Sequence, residues 1–160
     1  MTNSKTQSLP HWGINHKRIA LALVFLALLG FIDATYLTIA HYRGGIVPCA
    51  NISNCEKVLT SQYSTIAGVP VALIGSLYYF SVFLFTFLSI TRKNERFLIA
   101  ASAIITCGFL ASLFLIYLQL FVIHAICLYC MLSATITTVL FACATSLMLV
   151  KAKNKKLQMV

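Results

Sequence analysis

Residues 97–150 read FLIAASAIITCGFLASLFLIYLQLFVIHAICLYCMLSATITTVLFACATSLMLV, 54 positions without one Asp, Glu, Lys or Arg. As a single α-helix this run would reach about 80 Å at roughly 1.5 Å per residue, against a hydrocarbon core of about 30 Å. It must therefore fold back once. Gln119 and His124 are the strongly polar side chains near its middle, which places the turn at 118–125 and predicts spans over 97–118 and 125–150.

Two further spans lie upstream. Residues 19–40 form an apolar run behind Lys17 and Arg18. At 22 residues it is too long for a signal-peptide core and long enough to cross a bilayer, so it reads as a retained first span. Residues 69–90 form the second, with Pro70 expected at a first helical position, where its missing N–H costs nothing. Residues 1–18 are a polar lead, 41–67 a connecting loop, and 151–160 a basic tail.

Composition agrees. A chain of 160 residues that is 60% hydrophobic and 9% charged cannot hide its apolar surface in a soluble core. The net charge of +9 is compatible with nucleic-acid binding, but the basic residues flank apolar runs and form no continuous patch. Ten of the twelve Lys and Arg residues fall on one side of the predicted membrane, leaving only Arg43 and Lys57 on the other. The positive-inside rule then puts both termini in the cytosol. The fold class expected is an all-α integral membrane protein, a four-transmembrane-helix bundle with an external cysteine-bearing loop.

The loop contains Cys49 and Cys55, and the fourth span opens on Cys127-Leu128-Tyr129-Cys130. Both pairs fall on the external side, where disulfide chemistry is expected. Two cysteines three apart on a first helical turn share a face with Cβ atoms about 5–6 Å apart, wider than the roughly 3.5–4.5 Å of a relaxed disulfide. A bond closed there is strained and, if accessible, labile and oxidising. The helix N-terminus also favours thiolate, the reactive species. The spacer between Cys49 and Cys55 is polar and turn-like. Glu56-Lys57-Val58-Leu59 is compatible with a short helix capped by Asn54, which would place Cys55 at a helix start. The pair reads either as a structural staple or as a redox shuttle. Four external cysteines also permit a zinc site, although only one pair has the tight two-residue spacing.

Other residues carry weaker signals. Cys107 and Cys143 read as small buried hydrophobes within spans. Asp33, in the outer half of span one, is an intramembrane acid and so a functional candidate; the competing reading is a hydrogen bond to a neighbour such as Tyr78 or Tyr79. His124, three residues before Cys127, reads either as a proton carrier that helps to bind a quinone or as an interfacial polar residue. Phe31, Tyr36, Phe114 and Tyr117 are expected to pack or anchor.

Cys49, then Cys55-Glu-Lys-Val-Leu-Thr-Ser61, then Gly68-Val-Pro-Val-Ala-Leu-Ile-Gly75, then Cys127-Leu-Tyr-Cys130 resembles the vitamin K epoxide reductase family, its bacterial branch most of all. Asp33-Ala-Thr-Tyr-Leu-Thr is similar to that branch too, and the likeness runs over residues 19–150. It implies a four-helix bundle around a quinone, ubiquinone or menaquinone. It implies that Cys49 and Cys55 exchange with a thioredoxin-like (DsbA-like) protein, that Cys55 passes electrons to Cys127, that Cys130 reduces the quinone, and that Ser61 lies by the quinone head group. Many bacterial members carry a fused thioredoxin-like domain; this chain ends ten residues after its fourth span, so a separate partner is expected. Vitamin K epoxide itself is not the expected substrate. The unrelated DsbB-type oxidases place the quinone-proximal Cys-x-x-Cys before the second pair, whereas here it follows. The localisation expected is a bacterial cytoplasmic membrane, with the cysteines facing the periplasm or exterior. The competing class is a non-enzymatic four-span protein with a stapled external loop.

Overall fold

The computed structural model describes residues 14–44, 55–92 and 94–157. Five helices and one small hairpin follow in order: α1 (Ile14–Tyr42), α2 (Cys55–Leu59), β1 (Thr65–Ile66), β2 (Val69–Pro70), α3 (Val71–Arg92), α4 (Glu95–Tyr117) and α5 (Leu128–Leu157). A π-helical turn, Leu118–Val122, extends α4 without a break. Four stretches are long and apolar enough to cross a membrane: Arg18–Tyr42, Val71–Arg92, Arg96–Val122 and Leu128–Val150. The four-span, all-α architecture expected from the sequence is the one observed.

The helices run past the apolar limits read from composition, because backbone hydrogen bonding does not stop where hydropathy does. Helix α1 packs on α3 and α5, and α4 packs on the same two, so the bundle closes in the cyclic order α1-α3-α4-α5. Chain direction alternates. The ends of α1 and α4 therefore share one end of the bundle with the starts of α3 and α5.

Close packing rests on small residues. Ala20, Ala27 and Ala34 on α1 are all buried, which lets neighbouring backbones approach. Gly30 leaves the space that the Tyr79 ring fills. The Tyr79 hydroxyl donates to the Ser133 carbonyl at 2.8 Å, and the Ser133 and Thr137 hydroxyls each lie 2.8 Å from it. In a medium without water such a node fixes α3 against α5, because an unmade hydrogen bond has no solvent to replace it. Leu23, Val82, Ile105, Leu140 and Leu147 form the core around it.

Three expectations need correction. Pro70 is not in a helix: Val69–Pro70 is β2, paired antiparallel with β1 in the register Thr65↔Pro70 and Ile66↔Val69. Its turn has both central residues at positive φ, Ala67 at 52° and Gly68 at 81°, a geometry that matches strand twist. The Val71 amide then donates to the Ser64 carbonyl at 2.9 Å, so α3 starts one residue after the proline. The turn between the last two spans is also later and shorter than 118–125. The helix widens to a π-turn, with the Ile123 amide donating to the Leu118 carbonyl at 2.8 Å, and the non-helical segment is 123–127. Cys107 is exposed on the bundle surface and does not point into the core; Cys143 is half-buried, packed against the core.

Candidate active site

At the end where α1 finishes and α5 begins, the helices part around a cavity of about 140 Å³. That is an order of magnitude more than the roughly 10–15 Å³ one water needs. Leu37, Val71, Leu115 and Ile116 give it apolar walls, and His41, Ser61, Ser64, Gln119 and Cys130 supply polar groups. Convergent polar groups in an apolar cleft are the usual form of a small-molecule site.

The loop reaches this cavity through α2. The short helix begins at Cys55, as the sequence suggested, and its Val58 and Leu59 line the cavity. Cys55 is buried and disulfide-bonded. Cys49 and Asn54 lie outside the described residues. Past α2 the chain is held by its own hydroxyls: Ser61 Oγ donates to the Val58 carbonyl at 2.8 Å, and Ser64 Oγ to the Ser61 carbonyl at 2.7 Å. Ser61 lines the cavity, but the proton of its hydroxyl is already engaged.

The Cys-x-x-Cys segment is built differently from the accessible pair that spacing alone suggested. Cys127 has no exposed surface, whereas Cys130 is half-buried and lines the cavity. Cys127 immediately precedes α5, and its carbonyl accepts the Met131 amide at 3.0 Å. Its own amide donates to Gln119 Oε1 at 3.0 Å, and the Ala125 amide donates to the Gln119 carbonyl at 3.1 Å. One residue of the π-turn thus clamps the 123–127 turn twice, and His124 takes a positive φ of 49° to allow it. Both thiols are free. The Cys127 thiol is pushed down to about 7, first by a hydrogen bond from the Cys130 thiol. Burial opposes that shift, the Cys130 and Tyr129 amides at the helix start add to it, and the negative charge of Asp33 works weakly against it.

The remaining candidates separate. His124 is exposed and does not line the cavity. Asp33 makes neither proposed tyrosine contact: its Oδ2 is buried and has no hydrogen-bond partner, while Tyr79 is satisfied by α5. Phe31 and Tyr36 pack against Phe80 and Tyr129 at ring-centroid distances of 5.9 and 5.3 Å, and neither borders the cavity. Two cavity residues escaped sequence reasoning. In the sequence Gln119 marks only a turn, and His41 carries no motif. His41 Nδ1 lies 3.1 Å from the Leu59 carbonyl, which can only accept, so Nδ1 carries the proton and α1 is tied to α2.

These features define a class: a four-span membrane protein with a ligand-sized cavity at one end of the bundle, bordered by Cys130 and by the short helix that begins at Cys55. The model of the vitamin K epoxide reductase family matches residues 21–145, and the chain belongs to that family. It is a membrane oxidoreductase of the thiol–disulfide class. A search of curated proteins finds no match.

Proposed function

We propose that the protein oxidises a thioredoxin-like partner outside the cytosol and passes the electrons to a membrane quinone. The observation that carries this reading is that α2, which begins at disulfide-bonded Cys55, and Cys130 border one cavity. The arrangement of Lys and Arg supports an outward-facing site.

A quinone fits the lining. The apolar walls suit a ring and the start of an isoprenoid tail, and the amide nitrogen of the buried Gln119 makes no hydrogen bond to protein among the described residues. A bound quinone supplies a two-electron, two-proton sink. Leu37, Val71 and Leu115 would hold its ring beside Cys130.

The thiol chemistry runs inward by exchange through mixed disulfides. A partner thiolate attacks the loop disulfide at Cys49, the partner's second thiol resolves that mixed disulfide, and Cys49 and Cys55 are left reduced. The Cys55 thiolate then attacks Cys127 of an oxidised Cys127–Cys130 pair, and Cys130 leaves as a thiolate facing the cavity. Cys49 resolves the Cys55–Cys127 bond and restores the loop disulfide. Cys127 and Cys130 then reclose their disulfide, giving up two electrons through Cys130. The two protons come from the partner dithiol, so its oxidation balances the reduction of one quinone to quinol.

The test mixes the purified protein, a reduced thioredoxin-like protein and decylubiquinone, and follows quinone absorbance. Catalytic loss of absorbance matched one for one by partner disulfide is expected. A stable loop disulfide that never exchanges with the partner, with no quinone consumed, would overturn the reading in favour of a structural staple.

A further inference from the structure

Gln119 is 4% exposed, lines the cavity, and is half used. Its Oε1 accepts the Cys127 amide, and because an amide nitrogen cannot accept that N–H, the orientation of the side chain is fixed by chemistry. The Nε2 group, with two N–H donors, has no partner among the described residues. Nε2 keeps accessible surface, so a ligand in the cavity can reach its unused donors. Of the other polar side chains around the cavity, the Tyr63 and Ser112 hydroxyls also have no partner among the described residues, but both are more exposed than Gln119. The Ser61 and Ser64 hydroxyls donate to backbone carbonyls, and His41 Nδ1–H is spent on Leu59.

We infer that Gln119 Nε2–H donates to a carbonyl oxygen of the quinone, while Oε1 of the same amide holds the backbone of Cys127. The inference rests on the quinone reading above and names the residue that orients the ring. Gln119 is then a substrate-binding residue that ties the position of the acceptor to that of the redox pair. The donor also has a preference built in: an amide N–H matches a quinone carbonyl, an acceptor only, better than a quinol hydroxyl, which must place its own proton elsewhere.

The test is Gln119→Glu, which keeps an oxygen for the Cys127 amide and replaces the donor by an acceptor. Affinities are measured in a Cys127→Ser background, which keeps the backbone amide and cannot form the disulfide, so neither ligand is turned over. They are read at about pH 9, at the top of the roughly 8–9 range known for buried glutamates, to ionise the new carboxylate. A carboxylate repels a quinone carbonyl and accepts from a quinol hydroxyl. The ratio of decylubiquinone to decylubiquinol dissociation constants is expected to rise about tenfold, the scale of one hydrogen bond. With the cysteines intact, Gln119→Glu should raise KM for decylubiquinone. Equal weakening of both ligands, or a slower thiol step with an unchanged ratio, would mean that Gln119 only clamps the turn and would overturn the inference. Absence of quinone reduction by the unsubstituted protein would remove the proposed function and this inference together; reduction that is indifferent to Gln119→Glu removes the inference alone.

Discussion

Where α1 begins and α5 ends, the bundle is filled: Leu23, Val82, Leu98 and Leu147 are each no more than 3% exposed. Where α1 ends and α5 begins, the same four helices part, and the space between them is walled by Leu37, Leu115, Ser61, Gln119 and Cys130. The Tyr79 node lies between the two regions, and its partner Ser133 also borders the cavity. The contrast teaches a division of labour. The filled end and the tyrosine node set the helix positions, which allows the other end to leave space, place a cysteine against it and keep a side-chain amide half unpaired.

The largest expected effect is chemical. Cys130→Ala should reduce quinone turnover to the rate without protein, and a Cys55–Cys127 bridge should accumulate with reduced partner, seen on non-reducing gels. Unchanged turnover would take Cys130 out of the electron path and leave the cavity without a redox role. Next comes a paired truncation. Leu147→Ala in the filled end should cost about 2–5 kcal/mol, read as a loss of thermal stability in detergent. Leu115→Ala already borders open space, so it should cost well under half of that and instead change KM for the quinone. Equal destabilisation by the two would erase the distinction drawn between the ends.

A third prediction concerns protons. With the Cys127 thiol held at about 7, reduction of the Cys127–Cys130 disulfide takes up two protons below that pH and one above it. The reduction potential should therefore fall by about 59 mV per pH unit below pH 7 and about 30 mV above it. A break near 9 would mean that the hydrogen bond from Cys130 does not stabilise the thiolate. The smallest effect is expected at His124, exposed and away from the cavity. His124→Ala should change KM by no more than about twofold, the range of an ordinary surface substitution.

Much of this was legible in the sequence. An uncharged run of 54 residues has one physical solution in a bilayer, and the four spans followed from it. Cys55 at a helix start and Ser61 and Cys130 around one cavity were also within reach, the first from local propensity and the others from the family likeness. What escaped depends on packing between distant segments. Nothing local distinguishes Gln119 from a polar residue marking a turn; its role appears only when the π-turn brings it against residue 127. Pro70 was misplaced because its sequence neighbours suit a helix start, whereas the choice was made by a strand pairing five residues upstream. The burial of Cys127 is likewise invisible to spacing, which reports which face two residues share and not what lies over that face.

The widened turn at Leu118–Val122 has a mechanical consequence. Because the membrane helix loosens there and is not cut, the group that grips the backbone of Cys127 is part of a span embedded in lipid. Tilting that span within the bilayer would tug on the turn that carries Cys127, so the placement of this cysteine follows the lie of a membrane helix and not that of a free loop.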